Sequence, residues 1–207
     1  THYQLKDYPA TLADLNKAIE LLPEYGYSYH WRGCTHYQLK DYPAALADLN
    51  KAVELLPENG NNYLWRGCTY YNLKDYPAAL TDFNKAIELQ PEDGNNYYWR
   101  GRAYYELKDY PTALADLNKA IELQPEDGNN YRWRGVAYQA LKDHTFALAD
   151  FNKAIELQPE GAVNYARRGC LHLTLNDLQN AEADFAQVES LLEDNDGWPA
   201  YYIAGGY

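Results

Sequence analysis

The tripeptide Trp31-Arg32-Gly33 returns as Trp65-Arg66-Gly67, Trp99-Arg100-Gly101 and Trp133-Arg134-Gly135, and a worn copy stands at Arg167-Arg168-Gly169, each 34 residues after the last. Self-similarity at a fixed period of this length restricts the chain to a stack of small supersecondary units, because no single unit of that size buries its own apolar face. The composition carries the same mark. With 22 Tyr and 5 Trp against only 4 Phe in 207 residues, it has the bias that copying one short pattern produces.

The stretch from Gly26 to Asn59 shows what is being stacked. Tyr29, Arg32, Gly33 and His36 fall at i, i+3, i+4 and i+7, one stripe of a helix, and Tyr27, His30, Trp31, Cys34 and Gln38 form a second stripe. This first helix therefore has two working faces. Asp41 is placed to cap a second helix that tolerates Pro43 in its first turn, with Ala45, Leu49, Ala52 and Leu56 as its inward stripe and Pro57 as its stop. The unit is a helical hairpin. Gly33 and Ala45 are small where the antiparallel helices must come closest, so a bulky residue at Gly33 is expected to pry them apart.

The pattern resembles the tetratricopeptide repeat family along essentially the whole chain. The resemblance rests on the 34-residue period, the first-helix glycine, the second-helix alanines (Ala45 and Ala52, Ala79 and Ala86, Ala113 and Ala120) and the closing prolines Pro23, Pro57, Pro91, Pro125 and Pro159. It implies an all-α fold, a right-handed superhelical solenoid of antiparallel helix hairpins. Residues 1–25 then supply the second half of a repeat, 26–59, 60–93, 94–127 and 128–161 are complete repeats, 162–198 is a degenerate repeat with a longer loop, and 199–207 begin a further one. Two departures matter. Arg replaces the large apolar residue the family usually has before the glycine, and Glu193 stands where the last proline is expected, which predicts an irregular connection after residue 192. A partner for the charge is visible: Arg32, Arg66, Arg100, Arg134 and Arg168 are each followed 16 residues later by Asp48, Asp82, Asp116, Asp150 and Asp184. An arginine on a packed stripe needs such a pair. The alternative is that these arginines grip a ligand.

By the same resemblance, first helices line a concave surface that holds peptides. The stripe facing away from the hairpin partner reads Tyr27, His30, Trp31, Cys34 and Tyr37, then Asn61, Leu64, Trp65, Cys68 and Tyr71, then Asn95, Tyr98, Trp99, Arg102 and Tyr105, then Asn129, Arg132, Trp133, Val136 and Gln139. Trp31, Trp65, Trp99 and Trp133 would form a ladder, with Asn61, Asn95 and Asn129 along one rim and Arg102, Arg132 and Arg167 making one end basic. Each ring offers about 150–250 Å² of burial. The plainer alternative is that each ring fills the seam between repeats. The family's clamp for a C-terminal carboxylate needs polar groups where Trp stands, so that specificity does not carry over. The expected partner is a protein or peptide, with apolar or Pro residues and an acidic group.

Other functions lose ground on composition. A net charge of −12 opposes nucleic acid and anionic membrane, whose affinity comes from neutralised phosphates. There is no run of apolar residues long enough to span a bilayer. Cys34-Thr35-His36 and Cys170-Leu171-His172 look suggestive, but residues two apart on a helix point to different sides, so neither is a nucleophile–base pair. Cys34, Cys68 and Cys170 lack the spacing of a disulfide framework or metal site, which fits a reducing compartment such as the cytoplasm. No Gly-rich phosphate loop or metal motif is present, so no cofactor and no catalysis are expected.

The two ends share a register. "PAYYIAGGY" at 199–207 aligns with "GYSYHWRGC" at 26–34, and the residues that follow Cys34 read "THYQLKDYP", which are also residues 1–9. Tail and head would together spell one hairpin, with Thr1, Tyr3, Tyr202, Gly206 and Tyr207 at the junction. A longer covalent array, a subunit that assembles head to tail into a filament, and an arbitrary cut are the three explanations.

Overall fold

Aspartates start the second helix of each hairpin. The side chains of Asp7, Asp41, Asp75 and Asp143 accept the backbone N–H of the residue three places on, and a proline follows in the first turn of the first three of these helices. The computed structural model describes residues 7–193, and among them it contains eleven α-helices and no strand. The helices are α1 Tyr8–Leu21, α2 Gly26–Gln38, α3 Tyr42–Leu55, α4 Gly60–Asn72, α5 Tyr76–Leu89, α6 Gly94–Glu106, α7 Tyr110–Leu123, α8 Gly128–Ala140, α9 His144–Leu157, α10 Ala162–Thr174 and α11 Leu178–Glu193. No described helix is long and apolar enough to cross a membrane.

The turn inside each hairpin is made without glycine. Lys40, Lys74, Lys108, Lys142 and Asn176 hold φ between 60° and 63°. In the first of them the Lys40 N–H bonds to the Tyr37 carbonyl and the Asp41 N–H to the His36 carbonyl, closing the helix end before Asp41 starts the next. A left-handed conformation costs a residue with a Cβ about 1–2 kcal/mol, so each lysine is held there by its surroundings.

The chain divides at Asp109 and Tyr110 into two compact units. In the first, α2 packs on α3 and α4 on α5, and each second helix also packs on the first helix that follows it. The hairpin closes over glycine as anticipated: a Cβ on Gly33 would lie 2.8 Å from Leu49 Cγ and 3.3 Å from the Ala45 carbonyl, and one on Gly67 would lie 2.6 Å from Phe83 Cε1. Leu64, Cys68, Ala79, Phe83, Ala86 and Ala103 form the buried centre of this unit. First helices touch their neighbours, α2 to α4 and α4 to α6, whereas among the described residues no such contact joins α1 to α3 or α3 to α5. A row of hairpins that is tighter on one side bends toward it, so the first helices lie on the inside of the curve.

The second unit repeats the scheme with α8 on α9 and α10 on α11, and here too α8 touches α10. Its last helix, α11, runs 16 residues where the other second helices run 14, continuing to Glu193 at the place where the earlier repeats have proline. The irregular connection expected beyond it, and the junction residues Thr1, Tyr3, Tyr202, Gly206 and Tyr207, lie outside the described residues.

Candidate binding surface

Two faces of the first helices carry the polar and aromatic detail, and the outer one is structural. Arg32 donates from Nε and Nη2 to both carboxylate oxygens of Asp48, at 2.8 and 2.6 Å, and from Nη1 to Asn16 Oδ1 at 2.7 Å. Arg66 repeats this with Asp82 and Asn50, Arg134 with Asp150 and Asn118, and Arg168 with Asp184 and Asn152. The Asp side chains are nearly sealed, and the guanidinium groups are mostly covered. A Tyr one turn earlier, such as Tyr63 under Arg66 at 5.5 Å, adds a ring contact. These arginines therefore tie hairpins together. The Asn on the preceding second helix was not anticipated, although its column, Asn16, Asn50, Asn84, Asn118 and Asn152, keeps the same period.

The inner stripe splits in two. His30, Cys34, Leu64 and Cys68 are buried in the seam between first helices, not on the open face, while Trp31 remains 48% exposed and Trp65 and Trp99 are half-buried. The seam has its own polar column. Asn62 donates to the carbonyls of Ala52 and Leu56 at 3.0 and 3.1 Å, closing the end of the preceding helix. Its Oδ1 meets His30 Nδ1 at 2.8 Å. One repeat on, Asn96 bonds the same kind of carbonyls, but its Oδ1 has no partner where Leu64 replaces histidine. Burial lowers the His30 pKa, against the opposing pull of Asn62, and burial also raises the Cys34 and Cys68 thiols. His30 Nε2 lies 3.7 Å from Cys34 Sγ, but a sealed thiol held in its neutral form is no nucleophile.

Trp65 and Trp99 each lean on a tyrosine of the preceding repeat. The Tyr37 and Trp65 rings meet edge to face at 5.2 Å, Tyr71 and Trp99 at 5.6 Å, and Tyr42 and Tyr76 brace these tyrosines from behind. Asn72 Nδ2 donates to the Tyr37 hydroxyl oxygen at 2.9 Å, and the Tyr71 hydroxyl donates to Glu106 at 3.1 Å. Burial pushes both tyrosine hydroxyls well above their ordinary pKa. The guanidinium of Arg102 lies 4.2 Å from the Trp99 ring centroid and 4.8 Å from that of Tyr71, donating to the Tyr71 hydroxyl oxygen at 3.4 Å. The Trp65 and Trp99 rings thus fill the seam between repeats while part of each stays open. Tyr105, at the end of α6, is half-buried.

The rim amides are less free than their spacing implied. Asn95 and Asn129 turn their Nδ2 groups back to the capping carboxylates of Asp93 and Asp127, at 2.8 and 2.9 Å, although Asn95, like Asn61, is exposed. In the second unit Trp133, Arg132 and Arg167 are half-buried, with Arg132 donating to Asn164 at 3.5 Å, and neither α8 nor α10 carries a carboxylate. No group of His, Cys, Asp and Glu among the described residues could hold a metal ion.

Stacked antiparallel hairpins with a glycine at the crossing define a helical-repeat protein. Sequence profiles described as tetratricopeptide repeat match residues 26–59, 64–128, 109–162 and 162–195, and the chain belongs to the tetratricopeptide repeat family. A comparison with curated protein sequences finds no match. Among solved structures it is similar to MamA from Desulfovibrio magneticus, at 23% identity and a TM-score of 0.71, covering 83% of this chain and 97% of that one. It is also similar to YrrB, described as a TPR protein with an unusual peptide-binding site, at 24% identity and a TM-score of 0.63, covering 87% and 93%. A thermophilic TPR protein of Thermus thermophilus matches at 21% identity with a TM-score of 0.75, covering 86% and 94%. At these identities the likeness speaks for the fold.

Proposed function

We propose that this chain is a non-enzymatic interaction scaffold that holds a peptide segment of a partner protein against the inner face of its first helices. The observation that carries the reading is the half-open aromatic wall of Trp31, Trp65 and Trp99, braced by Tyr37 and Tyr71 and joined by Arg102. Rings held from behind lose little further freedom on binding, so their open parts can be covered at low entropic cost. A peptide-binding site in the similarly folded YrrB is consistent with this. The ligand carries apolar or Pro residues and a carboxylate for the arginine. Nucleic acid and membrane are poor partners for a chain of charge −12.

The test is a displayed library of 12-residue peptides selected on the whole chain, followed by titration of selected peptides with tryptophan fluorescence as readout. Trp99→Ala, confirmed folded by circular dichroism, should weaken binding at least tenfold. Unchanged affinity would remove the aromatic wall from the site.

A further inference from the structure

We infer that the ligand of the first unit is a proline-rich segment in the polyproline II conformation, read once per repeat by an indole N–H, with a carboxylate beside Arg102. The inference rests on the peptide-binding reading above and names the backbone geometry that the face selects.

No acceptor among the described residues meets the indole N–H of Trp65 or of Trp99, and neither nitrogen is sealed from solvent. Two donors of one kind thus stand one repeat apart on the same face, on rings that the tyrosines of the preceding repeat hold edge-on at interplanar angles of 76° and 72°. Such a row is matched by a ligand that offers a backbone carbonyl at the same interval.

Packed helices lie about 8–10 Å apart, and α2, α4 and α6 are packed neighbours. A polyproline II helix turns once in three residues of about 3.1 Å each, so its carbonyls return to one side about every 9.3 Å, and none is used internally. An extended strand repeats a side about every 6.7 Å, out of step with the wall. An α-helical ligand has already spent its carbonyls on its own backbone. Only the polyproline form presents free acceptors in the right period, and its rings pack well on aromatic surfaces.

Charge agrees with this occupant. Although the chain is strongly acidic, Glu106 is the only carboxylate on α2, α4 and α6. The wall is therefore locally suited to an uncharged proline segment. Arg102 is stacked on Trp99 and Tyr71 and donates to the Tyr71 hydroxyl oxygen at 3.4 Å, and a Glu next to the prolines complements its positive charge.

The probe is the acetylated, amidated peptide with three Pro-Pro-Ala triplets followed by Glu, titrated into the whole chain by calorimetry. Its controls are the same length with three Gly-Gly-Ala triplets and Glu, and an Ala-rich helical peptide ending in Glu. The proline peptide should bind at least tenfold more tightly than either control. Trp65→Phe and Trp99→Phe keep a ring and remove the donor, and each should weaken it about 5–10-fold, the value of one hydrogen bond. Replacing the terminal Glu by Gln should weaken it further for the parent chain and not for Arg102→Gln. If the library above yields binders without proline and the proline probe binds no better than its controls, this inference fails and the peptide scaffold stands. If the Phe variants bind the probe as well as the parent, the donor argument is wrong. If neither library nor probe binds, both readings fall.

Discussion

Removing Asp82 tests whether the arginine ladder is structural. Its carboxylate is 4% exposed and takes two hydrogen bonds from Arg66, at 2.7 and 2.8 Å, while Arg66 retains 19% exposure and a third bond to Asn50 at 3.0 Å. Breaking one side of a fully buried pair costs about 3–5 kcal/mol, because the other charge is left uncompensated. Here the guanidinium reaches some solvent and keeps Asn50 and the Tyr63 ring, so Asp82→Ala should cost about 2–3 kcal/mol. Asn50→Ala, which removes only the exposed bond, should cost about 0.5–1 kcal/mol. Replacing the pair together, Arg66→Met with Asp82→Leu, should return stability to within about 1 kcal/mol of the parent, since packed apolar groups need no partner. The assay is urea unfolding of the whole chain followed at 222 nm by circular dichroism, with the slope compared between variants, because stacked repeats can lose cooperativity. A loss below about 1 kcal/mol for Asp82→Ala, or a double variant as unstable as the single one, would refute the argument.

Two glycines should respond unequally to alanine. Gly67→Ala drives a Cβ to 2.6 Å from a Phe83 ring that is fully buried, so it should destabilise by about 1–3 kcal/mol, whereas Gly60→Ala meets only the end of the Gln90 side chain and should stay within about 0.5 kcal/mol of the parent in thermal unfolding. Lys74→Gly relieves a left-handed φ of 63° and should stabilise by about 0.5–1 kcal/mol in urea, so a loss of stability would mean that the lysine side chain contributes more than its backbone costs. The lowered pKa of His30 means that the unfolded chain binds a proton more readily than the folded one below the ordinary value of 6.5, so stability from this residue is complete above that pH and declines as pH falls through and below it. His30→Leu, the residue that Leu64 supplies one repeat on, should therefore flatten the fall in melting temperature between pH 7.5 and 5.5, and an unchanged slope would rule His30 out.

The hairpin was legible because its determinants are local. Asp41, Pro43, Gly33 and the alanine stripe each act within one unit, and the 16-residue step from Arg32 to Asp48 spans one antiparallel crossing. What lies between units was harder to see. A helical stripe says which residues share a side, but not where the neighbouring helix divides that side into seam and open face, so periodicity groups His30 and Cys34 with Trp31 although they lie about 100° and 60° round the helix from it, on the covered side. The columns at Asn50 and Asn62 stand at the right period but carry no signal of their own, because an asparagine in a helix has no meaning until its partner on another repeat is known. The lysines at φ near 60° were equally silent, since the residue type that marks such turns is glycine.

Arg32, Arg66, Arg134 and Arg168 each reach back to an asparagine of the hairpin before and across to an aspartate of their own, so successive hairpins present the same sockets. Excising residues 60–93 would remove Asn84 and bring Asn50 to the same 16-residue distance before Arg100, whereas a cut one residue shorter or longer would put the pair that spans the splice out of register. The gene encoding such a chain is thus free to lengthen or shorten by whole modules, and constrained against anything in between.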